Sequence, residues 1–233
     1  MPLHLKANKG DVAERIIISG DPERVKQMSS MLDGARVINE NRGFLMYTGT
    51  YKSYPITLAT HGIGGPSASI VIEELIMLGA KQIVRLGTAG SLRLDIEVGD
   101  VVLPNSAAFG SGGTVGEYSG DVGMAPAPDY ILLTKLSNAL KNAHLKTFVG
   151  PVYSKDGFYS ASDLFGKLTK YNFLCVEMEC ATLFTLAQLK GIAAACALLM
   201  SDSVIKETQM LPANELRSFV NTAAKSVLEA LVS

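Results

Sequence analysis

Two glutamates set two residues apart, Glu177 and Glu179, flank Met178 in the run Leu174-Cys175-Val176-Glu177-Met178-Glu179-Cys180-Ala181-Thr182-Leu183. There an apolar stretch passes into a helical pattern. Ionised carboxylates are costly to bury without partners. Such a pair therefore either binds a ligand or faces water and ion pairs at a strand end. Paired carboxylates can also serve as acid and base on a glycosidic bond. Spacing alone leaves these readings open.

Three further stretches join small polar or basic residues to glycine turns. Ser19-Gly20-Asp21-Pro22-Glu23-Arg24 places an arginine one turn into a helix. This suits an anion at the helix N-terminus, or simply a capped helix with Arg24 on the surface. Thr60-His61-Gly62-Ile63-Gly64-Gly65-Pro66-Ser67 has glycines enough for close backbone approach to a ligand or for a tight turn. It has neither a dinucleotide fingerprint nor a P-loop lysine. His61 is read as a packing residue rather than a base. Val84-Arg85-Leu86-Gly87-Thr88-Ala89-Gly90-Ser91 puts an arginine inside an apolar strand. Its charge cannot be removed by deprotonation, so it needs a buried carboxylate or a bound anion. Asp202, in Met200-Ser201-Asp202-Ser203, is a turn or cap aspartate or an acid facing a ligand. Phe158 offers a face for a flat base, or core filling.

The elements that must position these residues follow from the hydrophobic pattern. Strands are expected at 15–19, 44–51, 56–60, 82–87, 101–103, 148–153, 174–176 and 192–200. Helices are expected from Asp21-Pro22, from Pro66 or Ser67 to Leu78, at 130–144, at 182–190 and at 213–232, with Gly79 and Gly191 as terminators. This alternation implies an α/β fold, a single domain over 1–233 with a central mixed, mainly parallel twisted sheet flanked by helices. Gly110 to Gly123 reads as a mobile glycine-rich cover. In such sheets ligands bind at the carboxyl ends of strands, where all three stretches fall. With 21 Lys and Arg against 22 Asp and Glu, the net charge of -1 argues against nucleic-acid or membrane partners drawn by bulk charge. Cys175, Cys180 and Cys196 have no zinc-like spacing and read as core thiols, so no metal is expected. No secretory segment is visible at the start, and the longest apolar run, Ile192 to Met200, is too short to span a bilayer. The expected location is the cytoplasm.

In order and spacing these motifs resemble the family of hexameric purine nucleoside phosphorylases and the related methylthioadenosine phosphorylases. The resemblance runs over nearly the whole chain, from His4 and Gly20-Asp21-Pro22-Glu23-Arg24 through Asn41-Arg42-Gly43, His61 to Ser67, Arg85 to Gly90 and Val176 to Glu179, to Ser201-Asp202. It implies phosphorolysis of purine (deoxy)ribonucleosides to free base and (deoxy)ribose 1-phosphate, with inorganic phosphate as co-substrate and no further cofactor. Phosphate would be held by Gly20, Arg24, Arg85, Gly87 and Thr88, with Arg42 supplied by a neighbouring subunit. Met178 and Glu179 would hold the ribose and a neighbour's His4 its 5′ end. Glu177 would line the base side beside Phe158 and Ser201, and Asp202 would share a proton with purine N7. Shared sites imply at least a dimer, and the family a homohexamer built as a trimer of dimers. Arg217 is a weaker candidate to assist Asp202, and Met210-Leu211-Pro212 would favour a 5′-methylthio group by making the rim apolar.

Three other functions compete. A methylthioadenosine nucleosidase, a hydrolase, would not need the cradle of Arg24, Arg42 and Arg85. A uridine phosphorylase typically carries a glutamine and an arginine after the aromatic strand, which Phe158-Tyr159-Ser160-Ala161-Ser162-Asp163 lacks. A non-catalytic nucleoside-binding module would be free to lose Asp202 or an arginine.

Overall fold

A computed structural model describes residues 2–160, 163–208 and 211–233. Ala161, Ser162 and Met210, which entered the readings of base recognition and of an apolar rim, lie outside the described residues.

The chain runs β1 (Arg15–Ser19), α1 (Pro22–Ser29), β2 (Asp33–Asn39), a 3-10 turn at Asn41–Gly43, β3 (Met46–Tyr51), β4 (Tyr54–Thr60), α2 (Gly64–Leu78), β5 (Gln82–Ser91) and β6 (Val101–Phe109). There follow α3 (Gly113–Ser119), α4 (Tyr130–Asn142), β7 (Thr147–Ser154), α5 (Leu164–Lys170), β8 (Cys175–Glu177), α6 (Cys180–Lys190), β9 (Ala193–Ser203) and α7 (Ala213–Val232). Local chemistry sets several boundaries. Asp21 caps α1 by accepting from the Glu23 amide at 2.9 Å, with Pro22 in the first turn. Gly79 and Gly191 end α2 and α6 in the left-handed conformation that glycine adopts without steric cost.

The sheet is mixed. β1 lies parallel between β4 and β5, and β5 runs parallel to β9 from Gln82–Ala193 to Ser91–Ser203. At its far end β5 also pairs antiparallel with β8, at Gly90–Val176 and Ser91–Cys175. β8, β7 and β6 are parallel neighbours, and β6 returns antiparallel to β9. Strands β5, β8, β7, β6 and β9 therefore close on themselves, while β1, β4, β3 and β2 extend from β5 as a flange.

Alternation along β5 and β9 sends successive side chains to two cores. Ile83, Ala89, Cys196, Leu198 and Met200 face α2 and α6, whose Val71, Ile72, Leu75, Leu183 and Phe184 cover them. Val84, Leu86, Ala195, Ala197 and Leu199 face α1, α4 and α7, through Val25, Leu136, Leu140, Val220 and Leu228. The result is helices on both faces of one sheet, as expected.

The structure corrects some local expectations. β2, α3 and α5 were not anticipated. β2 is mostly exposed through Val37 and so lacks the alternating apolar signal of a half-buried strand. The stretch read as a mobile glycine-rich cover contains α3, anchored by buried Thr114 and Val115. β5 and β9 run further than expected, to Ser91 and Ser203. Gly87 to Gly90 and Ser201-Asp202 are thus strand residues rather than turn residues.

Candidate active site

The site is built where β1, β4, β5 and β9 end, on the side where α2 and α6 begin. Arg85 lies on β5, and its side chain is only 5% exposed. Its guanidinium folds back over Gly87, where a Cβ would come within 2.3 Å of Nη1. Any side chain at this position would have to push the guanidinium from its place. The guanidinium donates from Nη2 to Glu179, lies 3.4 Å from Glu177 through Nη1, and reaches the Cys180 sulfur at 3.9 Å. Its Nε has no partner among the described residues. Burial by itself would favour losing the proton, but the Glu179 and Glu177 carboxylates more than reverse this and hold Arg85 above its ordinary value.

The two glutamates turn out to have different tasks. Glu177 is enclosed by the protein, its side chain 1% exposed. It accepts from the amides of Glu179 and Cys180, at 2.8 and 2.9 Å, and from the Ser154 hydroxyl. It thus caps the start of α6, where the helix dipole favours a negative charge. Its carboxylate, expected to line the base side, faces inward and braces Arg85. Glu179 accepts from the Gly64 amide at 2.6 Å and from Arg85, capping α2 from across the fold. Burial pushes its carboxyl up, Arg85 opposes that, and the nearby Glu177 charge adds to the rise. Two carboxylates share one arginine, so the cluster carries one buried negative charge in excess. Met178 is half-buried, its methyl 3.8 Å from where a Cβ on Gly64 would sit.

Arg24 donates to the Ser19 hydroxyl at 3.1 Å. Burial lowers its pKa, the Asp21 charge opposes this, and Arg85 lowers it further. The mutual repulsion places the two arginines in one field. Gly20 and Gly62 meet closely, because a Cβ on Gly20 would lie 2.9 Å from the Gly62 carbonyl oxygen. The turns after β1 and β4 therefore form one backbone surface, and Thr88 stands half-buried on β5 nearby in sequence.

Asp202 is half-buried and accepts from the Ser201 hydroxyl at 2.7 Å. Its Oδ2 is 3.1 Å from a Cβ placed on Gly90, so the carboxylate lies over β5 at a second point where a side chain would collide. Phe158 is 59% exposed and meets Tyr159 edge-on at 5.0 Å, which removes the core reading for that ring. Arg217 is exposed, and no hydrogen bond or ion pair joins it to Asp202 among the described residues; its carbonyl accepts from Gln27 at 2.9 Å.

His4 and the turn that carries Arg42 are joined by a separate set of bonds. Glu74 of α2, a residue missed in the sequence, accepts from the amides of Leu3, His4 and Leu5 and from His4 Nδ1 at 2.7 Å. Burial opposes its ionisation, yet these bonds lower its pKa to about 2. Asn41 donates to the His4 carbonyl at 2.7 Å, tying that segment to the turn that presents exposed Arg42 at φ 57°. A glutamate inside an apolar helix pattern was the available signal for Glu74.

No group of three or more His, Cys, Asp or Glu side chains among the described residues is arranged to hold a metal. No described helix is long and apolar enough to cross a membrane. A cleft of about 1230 Å³ lies between α4 and α7, where Lys135 bonds the Ser233 carbonyl and Tyr51 bonds Glu229. Those polar groups satisfy one another and include no arginine.

Residues 14–233 match the family described as the phosphorylase superfamily. The chain is 37% identical over 207 residues to a guanosine phosphorylase of Halorubrum lacusprofundi, covering 88% of this chain and 85% of that protein. It is 36% identical over 236 residues to a DeoD-type purine nucleoside phosphorylase of Listeria welshimeri, covering all of both chains. It is also 36% identical over 234 residues to one of the same name from Geobacillus kaustophilus, covering 100% of this chain and 98% of that one. The arginines and carboxylates at the strand ends thus stand in a chain that belongs to the phosphorylase superfamily.

Proposed function

We propose that this protein is a purine nucleoside phosphorylase, cleaving the N-glycosidic bond of purine (deoxy)ribonucleosides with inorganic phosphate to give the free base and (deoxy)ribose 1-phosphate. The observation that carries the reading is the buried Arg85, with Arg24 in the same field and Glu179 against it, at the strand ends where Asp202 also sits. Bond cleavage builds positive charge on the ribose and negative charge on the departing purine. Phosphate held by Gly20, Arg24, Arg85, Gly87 and Thr88, with a neighbour's Arg42, acts as nucleophile and offsets the sugar cation. Glu179 and Met178 hold the ribose, with a neighbour's His4 at its 5′ end. Glu177 fixes that floor from behind through Arg85 and the start of α6. Phe158 covers the base, and Asp202, oriented by Ser201, supplies the proton at N7. Phosphate is the co-substrate, and no organic cofactor enters this scheme.

The homohexamer, a trimer of dimers, belongs to the same proposal. Glu74 and Asn41 fix His4 beside Arg42 as one presented unit, which suits completion of a neighbour's site. Mixing inactive His4→Ala and Asp202→Asn proteins should then restore activity through sites that are whole. The main test incubates the protein with inosine, guanosine, adenosine, methylthioadenosine and uridine, with and without phosphate, and chromatographs the products. Base release that needs phosphate is expected for purines, and release without phosphate would overturn the reading.

A further inference from the structure

His61 is the one group at this site that the scheme above leaves without a task. Its ring is fully buried, and neither Nδ1 nor Nε2 has a hydrogen-bond partner among the described residues. Buried polar groups seldom stand idle. The backbone on either side is pinned: the His61 amide donates to the Ser19 carbonyl at 2.9 Å, and the Ser67 hydroxyl donates to the His61 carbonyl at 2.7 Å. Cε1, the carbon between the two nitrogens, is 3.5 Å from a Cβ placed on Gly20. The polar edge of the ring is thus turned toward the Ser19-Gly20 turn.

Protonation would add a third cation to this corner. Burial holds His61 well below its ordinary value, and Arg85 and then Arg24 push it the same way. The carbonyls of Gly62 and His61 oppose this, Gly62 by more than Arg24 contributes, but neither makes a hydrogen bond to the ring. A neutral imidazole offers one strong acceptor lone pair. Guanidinium groups and backbone amides only donate, so apart from the hydroxyls of Ser19, which already accepts once from Arg24, and Thr88, the imidazole is the acceptor this corner offers. Hydrogen phosphate, unlike sulfate, carries an O–H that requires an acceptor.

We propose that His61 is a further phosphate ligand whose neutral ring accepts the O–H of hydrogen phosphate, turning the ionised oxygens toward the arginines and the sugar. This rests on the phosphate reading above. It makes the site selective for a protonated oxyanion over an unprotonated one of the same size and charge.

The test uses the whole protein with ¹⁵N-labelled histidine. Only His4, His61 and His144 contribute signals. At mildly alkaline pH, inorganic phosphate should shift one ring nitrogen of His61 with saturation, and sulfate should not. His61→Phe should raise the phosphate KM about tenfold or more, the loss of one hydrogen bond to a charged ligand. Its inhibition by sulfate should stay as in the parent protein. His61→Gln, which keeps a carbonyl acceptor, should recover part of the phosphate affinity. If His61→Phe fails to fold, the signals are assigned from His4 and His144 variants and the native titration decides. Phosphate that saturates turnover while leaving the His61 resonance unmoved would overturn the proposal, as would equal shifts with sulfate. Absence of any phosphate-dependent product would instead sink the phosphorylase reading.

Discussion

Removing Arg85 separates structure from catalysis at this site. The guanidinium is 5% exposed, bonded to Glu179 and 3.4 Å from Glu177. Arg85→Ala leaves two carboxylates buried against each other, and stripping one partner from a buried ion pair typically costs about 3–5 kcal/mol. At about 2–4 °C per kcal/mol for a chain of this size, the melting temperature should fall by roughly 6–20 °C. Glu179→Gln should cost less, because Arg85 retains Glu177 and the Gly64 amide retains an acceptor. In the double variant only Glu177 stays charged, so the cluster returns from two excess negative charges to the parent's one and part of the loss should return, with a coupling of about 1–3 kcal/mol. Phosphate tells a different story. Losing a charge-assisted ligand should raise the phosphate KM by about 10–100-fold, and the double variant should not recover it. Differential scanning fluorimetry and initial rates against phosphate, run on all four proteins, complete the cycle. Melting temperatures that add without coupling would refute the buried triad. A double variant with the parent phosphate KM would show that Arg85 serves only to neutralise the glutamates.

Three shorter tests bear on the same geometry. Asp202→Asn should lower inosine turnover by about 10²–10⁴-fold, the usual worth of a positioned general acid, while the phosphate KM moves little; an equal loss of phosphate affinity would remove Asp202 from the base side. Gly87→Ala would place a methyl 2.3 Å from the present position of Arg85 Nη1, so the guanidinium must move and phosphate-dependent rates should fall while far-UV circular dichroism is retained; unchanged kinetics would show that the guanidinium does not need its position over Gly87. Glu74→Gln should expose the amides of Leu3, His4 and Leu5 to hydrogen exchange at neutral pH. In the parent protein the Glu74 pKa is depressed from 4.5 to about 2, so its hold is complete above 4.5 and fades as pH falls toward 2. Equal exchange in both proteins at neutral pH would refute that hold.

Most elements were legible because their signals are local. The three isoleucines of β1, the Asp21-Pro22 cap and the glycines at 79 and 191 each act within a turn or two of chain. The residue types of the site were legible too, since an arginine in an apolar strand and a pair of carboxylates state an unmet electrostatic need wherever they lie. β2 and α3 were hidden because an exposed edge strand and a short glycine-rich helix bury too little to imprint a period on the sequence.

By itself, then, the sequence determined the α/β class, the strand ends that carry the chemistry, and the set of charged groups requiring partners. Tertiary structure decided who partners whom. Arg85 meets Glu179 across 94 residues, and Glu74 meets His4 across 70. It also divided the two glutamates: residues two apart share a face only while the strand continues, and β8 ends at Glu177, so one turns into the α6 amides and the other reaches α2. The closure of β5, β8, β7, β6 and β9, and the idle polar edge of His61, belong to the same class. Hydrophobic period encodes which face of an element is buried, while pairing between distant charges depends on how the buried faces stack.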